Sequence, residues 1–477
     1  MGAGLLPGVF DLCMIFRTIV TFKDILVVLL MASLALRRAA SLVIPPGATK
    51  LGTKSIKVLS WNILLPNSDD GWWTFKNYCP ETPEECRTWS YRQEKMKEVC
   101  REEDPSVICF QEAGERSYET DFVFLEEEGK YSYEVADKGR MRCMTWYKNE
   151  DFDCLFSVNK DRCLILALKH KELDEVVWVV NCHLQAGNSN GGRRLRQLHE
   201  SLETVRKKAK KLGLNPYSGF RVIVCGDFNS ESQGSATQKL LKEGAMEAGF
   251  AEHGVVISNK NKKQTVGLFA DSYASAYGDV EPPATLVAPK LIEYFTTGGA
   301  GLEEAGEELA LTHELRTVLT EVFKLYAPSS EMTKAEADVF LTDINLRTDR
   351  GSEMRFAYKI IEEKGSLQVD DFIDLYRAEI KGGKFWGVAH DLFIIKEKFG
   401  MDANLLDTVL PEFYHRKGTP KGYEDLFKAR FDYMFHTAET LNLVGVRRLK
   451  EGGGITPMPN AEDASDHHYL AAEYELK

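Results

Sequence analysis

Five short β-branched or aromatic runs, each carrying polar residues at one end, constrain this chain more than any other feature. They are IKVLSWN, ending at Asn62; SVICFQE, ending at Glu112; VVWVVNCHL, with His183; RVIVCGDFN, with Asp227 and Asn229; and FDYMFH, with Asp432. A sixth segment, Ser465-Asp466-His467, immediately precedes another strand-like run. Runs of this length and composition read as buried strands, so the polar residues fall at strand ends. One such end means little, since the Asp, Asn and Gly of GDFN are ordinary turn residues. Six of them, in this order and context, point to a single site assembled at the rim of a sheet structure.

The residue types define a chemistry. Hydrolysis of a phosphoester needs a cation to neutralise developing charge, donors to hold the phosphoryl oxygens, and a base to orient water. Glu112 is an oxygen ligand suited to a hard ion such as Mg²⁺ or Mn²⁺, which keeps several waters. Asn62 and Asn229 supply amides. Asp227, two residues before Asn229, faces the same side of a strand end and is placed to position or deprotonate water. His467 can donate to the phosphate, with Asp432 holding its ring in one tautomer. His183 is the second candidate contact to phosphate or leaving group. His468 points to the opposite face and reads as structural.

Taken together, these segments resemble the endonuclease/exonuclease/phosphatase superfamily. The resemblance runs from about Ile56 to the C-terminus with one interruption. It implies an α/β fold: a four-layer sandwich of two packed, mostly antiparallel sheets with helices outside and the site at one rim. It also implies metal-site roles for Asn62, Glu112 and Asp466, and catalytic roles for His183, Asp227, Asn229, Asp432 and His467. VLSWNILLP, CHLQAG, GDFNSES, DSYASAYGDVEPPAT and FDYMF look most like the deadenylase, nocturnin and Angel branch. The Trp before GDFN and the Cys-Asp-Arg of the inositol 5-phosphatase branch are absent. The overall likeness extends to plant and algal members described as calcium-binding.

Other residues near these segments are candidates for substrate contact. Trp72 and Trp73 follow the first catalytic strand in a loop, where aromatic rings can stack on a base or a lipid. Arg193, Arg194 and Arg196, just after the His183 strand, form a basic cluster that can meet phosphates, with Arg193 and Arg194 the substrate candidates; on a helix this cluster and the lysines at 207, 208, 210 and 211 also fit a solvated face.

Composition narrows the partners. The chain has 477 residues and a net charge of −12, which argues against broad electrostatic capture of nucleic acid. The acidity is uneven: residues 300–417 hold 23 acids against 15 bases, a net −8. The ten cysteines lie between Cys13 and Cys225 without metal-ligand spacing, and Cys109, Cys182 and Cys225 sit inside apolar runs. Free, buried cysteine in a reducing, intracellular compartment fits this pattern.

The catalytic fold is expected over 54–290 and 425–477, with 300–417 as an inserted helical module. Within it, EVFKLYAPSSEMTKAEADVFL and RFAYKIIEEKGSLQVDDFIDLY each read as amphipathic helix, loop, acidic helix start, as in a pair of EF-hands. Calcium loops need oxygen ligands at positions 1, 3, 5 and 12. Leu325 and Ala327 fall at 1 and 3 of the first loop, and Ile360 and Lys364 at 1 and 5 of the second. The module therefore reads as a degenerate EF-hand pair that is structural or binds a protein partner, with Ca²⁺ disfavoured.

Residues 1–47 are read as a targeting or anchor segment and linker. Residues 25–36, ILVVLLMASLAL, are continuously apolar but shorter than the roughly 20 residues that span a bilayer. A signal anchor, a transit peptide and a membrane-surface helix all stay open, so membrane association or organelle targeting is an expectation. The reading as a whole is a Mg²⁺-dependent phosphoester hydrolase acting on RNA 3′ ends of the poly(A) type or on a nucleotide phosphate. Phospholipid or inositol phosphate hydrolysis is the alternative, and a non-catalytic calcium-responsive scaffold is the rival of a different class.

Overall fold

A computed structural model of the chain describes residues 42–48, 54–78, 82–126, 129–215, 218–231, 234–258, 263–289, 291, 295–296, 310–406, 408–410, 426–450 and 457–477. The apolar stretch at 25–36 lies outside them. Among the described residues no helix is long and apolar enough to cross a membrane.

The apolar runs form strands. They are β1 (Ser55–Asn62), β2 (Val107–Gly114), β3 (Tyr131–Val135), β4 (Met141–Lys148), β5 (Phe152–Lys160), β6 (Cys163–His170) and β7 (Val176–His183). The later ones are β8 (Arg221–Asp227), β9 (Phe269–Asp271), β10 (Leu286–Pro289), β11 (Leu426–Ala429), β12 (Asp432–Thr437), β13 (Leu441–Arg447) and β14 (Leu470–Leu476). One sheet contains the order β13-β14-β1-β2-β4-β3, and a second runs β9-β12-β8-β7-β6-β5. Pairing is antiparallel except for β1 with β2 and β7 with β8.

Alternation of side chains across each strand gives every sheet two apolar faces. Val58, Cys109, Leu166, Val179, Cys225 and Met434 pack in the layer between the sheets. Residues one step along point outward, to be covered by helices. Leu59, Phe110 and Trp146 meet Met96 and Cys100 of α1 (Trp89–Glu103). Trp178, Val180 and Val224 meet Leu195, Leu198 and Leu202 of α2 (Gly191–Lys211) and Leu240 of α3 (Ala236–Glu243). Helix, sheet, sheet and helix thus make the expected four-layer α/β sandwich.

Polar side chains cross the inter-sheet layer just below the site. Gln111 Nε2, on β2, donates to Asn181 Oδ1, on β7, at 2.8 Å. Asn181 Nδ2 lies 3.0 Å from the carbonyl oxygens of Phe110 and Met144. Both residues are fully buried, so this bond between β2 and β7 helps fix how the sheets face each other.

The helical segment enters and leaves the sandwich at one point. β10 and β11 pair antiparallel, Leu286 opposite Ala429, and close the base of the excursion. Beyond it lie α4 (His313–Tyr326), α5 (Lys334–Asn345), α6 (Ser352–Lys364), α7 (Val369–Lys381) and α8 (Phe385–Phe399). They bury a separate core that includes Val318, Phe323, Phe340, Phe372, Tyr376 and Leu392.

Two helix–loop–helix units, α4–α5 and α6–α7, are joined through their loops. Met332 and Leu367 exchange backbone hydrogen bonds of 2.9 Å each. The acidic residues that end these loops are already occupied. Glu336 Oε2 accepts from the backbone and hydroxyl of Thr333. Asp371 Oδ1 accepts from Lys364 Nζ at 2.6 Å, so an ammonium holds the carboxylate from within the loop.

Candidate active site

The two sheets bring the strand ends together. His183, Asp227 and Asp432 stand in register across β7, β8 and β12 at one rim of the second sheet. Asn62 pairs with Gln111 across β1 and β2 at the facing rim of the first, with Glu112 the next residue. Glu112 has φ +68°, inside a register shift between β2 and β4. A non-glycine residue in the left-handed region is strained. Here the bulge turns a carboxylate that strand alternation would have pointed elsewhere.

Asn62 is the hinge between the rims. Its Nδ2 donates to Glu112 Oε1 at 3.1 Å and to Asp227 Oδ2 at 3.0 Å. Its own Oδ1 accepts from the backbone of Leu64 at 3.1 Å, which fixes the amide orientation. Glu112 Oε2 accepts from the backbone of Leu65 at 3.0 Å. His183 Nε2 lies 3.7 Å from both Glu112 Oε1 and Asp227 Oδ2. Asn229, at φ +48°, donates its backbone N–H to Asp227 Oδ1 at 2.8 Å and its side chain to the Leu184 carbonyl at 3.0 Å.

His467 completes the ring. Its Nδ1 donates to Asp432 Oδ2 at 2.7 Å, leaving Nε2 4.0 Å from Asp227 Oδ2. Burial disfavours the imidazolium, but Asp432, Asp466 and Asp227 outweigh it and hold His467 well above its ordinary range. Burial likewise raises Asp227, with Asp432 adding to it and the two histidines opposing. Burial, joined by Glu112, pushes Asp466 up to about 6 against the pull of His467.

Carboxylates held up by burial are short of positive charge. That is the donor set a divalent cation suits: the Glu112 carboxylate adds to the upward push on Asp466, and the Asn62 amide donates to Glu112. No cluster of three His, Cys, Asp or Glu donors in metal-ligating geometry occurs among the described residues. A cation here would rest on few protein oxygens and keep water, as Mg²⁺ does.

The residues that hold these groups in place have no role assigned from the sequence, although Trp61 and Ser465 lie inside the quoted SWN and Ser-Asp-His segments. Arg92 of α1 is fully buried; it donates to the carbonyls of Ile63, Leu64 and Ala464, stitching the segment after Asn62 to the segment before His467. Ser465 Oγ donates to the Asn62 carbonyl at 2.6 Å, and Trp61 Nε1 to the His467 carbonyl at 2.9 Å. Thr285 Oγ1 accepts from the backbone of Phe431 and Asp432 at 3.1 Å each. Thr285 lies 146 residues before Phe431, so the sequence leaves no local mark of this contact.

The proposed substrate residues divide. Arg193 borders a cavity of about 490 Å³ that also contains His183. Arg194 requires correction: it is buried against Glu252, 2.6 Å away, and donates to the carbonyls of Gln185 and Gly187. Its cation therefore supports the fold and does not face the cleft. Trp72 and Trp73 begin a short 3₁₀ helix, Trp72–Asn77, that packs on the helical insert, with Trp73 against Trp386 and Lys76 paired with Asp391. His468 is partly buried beside Asp463 and lies outside the cluster, as expected.

A two-sheet sandwich whose rim gathers acids, amides and histidines defines a class of phosphoester-cleaving proteins. The family model for the endonuclease/exonuclease/phosphatase family matches residues 59–467, and the chain belongs to that family. Membership places it among phosphoester hydrolases.

Among curated proteins it is similar to the CCR4-Not complex 3′-5′-exoribonuclease subunit Ccr4 of Kluyveromyces lactis, 27% identical over 275 residues, 47% of this chain and 34% of that protein. The Saccharomyces cerevisiae Ccr4 subunit is 26% identical over 242 residues, 42% of this chain and 28% of that one. The chain thus spans about a third of the length of these relatives. Among solved structures, ANGEL2, a 2′,3′-cyclic phosphatase in complex with adenosine-2′,3′-vanadate, superposes with a TM-score of 0.50 at 15% identity. That match covers 90% of this chain and 97% of ANGEL2, and it supports the fold.

Proposed function

We infer that this chain is a metal-assisted hydrolase of RNA 3′ ends or of a nucleotide phosphate. The observation that carries the reading is Asn62 Nδ2 bridging Glu112 and Asp227 within reach of two histidines. The similarity to Ccr4 exoribonuclease subunits favours RNA among the phosphoesters.

Glu112, with Asp466 and the Asn62 amide nearby, would hold a Mg²⁺ or Mn²⁺ ion. Such an ion supplies Lewis-acid neutralisation of charge on the phosphoryl oxygens. Asp227 orients the attacking water and takes its proton; burial keeps its carboxyl basic enough for that step. His467, kept protonated by Asp432, donates from Nε2 to a phosphoryl oxygen as charge builds there. His183 offers a second donor at Nε2, and Asn229 steadies Asp227. The helical module reads as an EF-hand-like pair whose loops serve structure, given the internal partners of Glu336 and Asp371.

The test is turnover by the full chain with Mg²⁺ on poly(A) RNA, NADP(H), inositol polyphosphates and sphingomyelin, beside Glu112→Ala. RNA or nucleotide turnover that disappears in the variant is expected. Activity that survives Glu112→Ala would refute the metal assignment, and turnover of the lipid or inositol substrates alone would refute the substrate class.

A further inference from the structure

Two cavities meet at Arg140 and Met141, which line both. The first holds His183 and is bordered by Lys138, Arg140, Arg162 and Arg193 against Asp137 and Asp161, a surplus of positive charge beside the candidate active site. The second, of about 630 Å³, lies between the catalytic body and the helical insert, and its six cationic side chains face seven acidic ones. Phosphate belongs in the first by charge alone. The second suits an uncharged ring.

Its walls provide for one. Trp73 from the segment after β1 and Trp386 from α8 lie with ring centroids 6.3 Å apart and planes 28° from parallel. Trp72 stands beside them, with the Arg347 guanidinium 5.4 Å from its ring centroid. All three tryptophans line the cavity and are only partly buried, so ring surface remains for a further aromatic group.

At its floor is Asn345, 1% exposed, whose Oδ1 and Nδ2 have no partner among the described residues. A buried amide without partners costs stability, and a ligand edge would remove that cost. Gly351 keeps this floor clear: at φ +121° it disfavours any side chain, and a Cβ there would stand 2.9 Å from Glu353 Oε2, 3.4 Å from Asn345 Nδ2 and 3.9 Å from Trp72. An amide presents a donor and an acceptor side by side, the pattern complementary to the N6 and N7 edge of adenine.

We propose that the cavity between insert and catalytic body is a nucleobase subsite that takes an adenine-type purine of a substrate whose phosphate lies in the basic cavity. This rests on the reading of the substrate as RNA or a nucleotide. The insert thereby gains a part in recognition, since it supplies Trp386 and Asn345, while Trp72 and Trp73 come from the segment that begins at Asn62. Base recognition is then built partly from a module that the sandwich itself does not require.

Two measurements on the full chain test this: quenching of tryptophan fluorescence by AMP, and kcat/KM on oligoadenylate against oligouridylate. Asn345→Leu replaces an unpaired buried amide with an apolar group of similar size, so thermal stability is retained. In that variant the preference for oligoadenylate is expected to fall about 5- to 150-fold. Trp386→Leu is expected to abolish AMP quenching. A variant pair that keeps both the wild-type preference and the wild-type quenching overturns the subsite. If the wild-type chain cleaves no RNA, the functional reading fails separately. The subsite then stands on AMP quenching that Trp386→Leu removes, and falls if AMP causes none.

Discussion

His467 and Asp432 sit 35 residues apart in the chain, yet the imidazole Nδ1 donates to the carboxylate at 2.7 Å inside a site where both are almost fully buried. The bond fixes which ring nitrogen faces Asp227. His467→Ala is expected to lower kcat by about 10²- to 10⁴-fold, the usual contribution of a positioned proton donor. Asp432→Asn keeps the size of the side chain but loses the charge, so it should lower kcat by a smaller factor and leave KM nearly unchanged. Steady-state kinetics on the best substrate would show this. A large rise in KM with kcat intact would contradict the assignment of His467 to the transition state.

The polar bridge between the sheets makes a second expectation. Asn181→Ala removes one of three acceptors near Gln111 Nε2, the others being Ser60 Oγ and the Cys109 carbonyl, and the side-chain donor serving the Phe110 and Met144 carbonyls, all buried. Gln111 Nε2 keeps its other acceptors, and a buried carbonyl that loses its donor costs about 1–3 kcal/mol, so a loss in that range is expected by urea unfolding. Gln111→Ala in the Asn181→Ala background should cost much less than in the wild type, because the two act as one unit. Additive losses would mean that the sheets are held elsewhere.

The same residues show why the site was legible from sequence and its supports were not. Asn62, Glu112, Asp227 and His467 carry their chemistry in their types and in their places at strand ends. Arg92 acts through backbone carbonyls, one of them 372 residues away at Ala464, which leaves no local mark. The tandem tryptophans stood out, but their partner Trp386 belongs to another element far along the chain. Arg194 differs from its expected role for a reason that is local: with Leu198 and Ser201 it falls at i, i+4 and i+7 on the buried face of α2, so helical periodicity already places it inward. The insert was legible as a helical, acidic module because its amphipathic spacing is local. Its docking against the Trp72–Asn77 segment depends on long-range pairs and was not.

Calcium is expected to leave the fold unchanged. Lys364 Nζ already pairs with Asp371 in one loop, and Glu336 caps α5 at Thr333 in the other. A site with a dissociation constant one-hundredth of the added calcium would stabilise the chain by about 2.7 kcal/mol. With excess Mg²⁺ present throughout to hold the candidate active-site cation constant, we expect the melting temperature with added calcium to equal that without it. A calcium-dependent rise would show that these side chains give up their partners to the ion.

Asp391 links insert stability to pH. It lies 2.8 Å from Lys76 in a buried pair, with Glu353 next to Lys76 at 3.8 Å. Burial, with Glu353 and Glu379 adding to it, outweighs Lys76 and holds the Asp391 carboxyl up at about 7, above its ordinary 3.8. A carboxyl raised in the folded state binds its proton there more tightly than in the unfolded chain. Its contribution is therefore fully present below about 4 and is lost as pH rises through about 7, an upper bound near 4 kcal/mol across that window. Denaturant unfolding between pH 4 and 8 should show this decline superposed on the other titrations. Asp391→Asn, which cannot ionise, should flatten the slope between pH 4 and 7 relative to the wild type. An unchanged slope would mean that Asp391 is ionised throughout and that Lys76 holds it so.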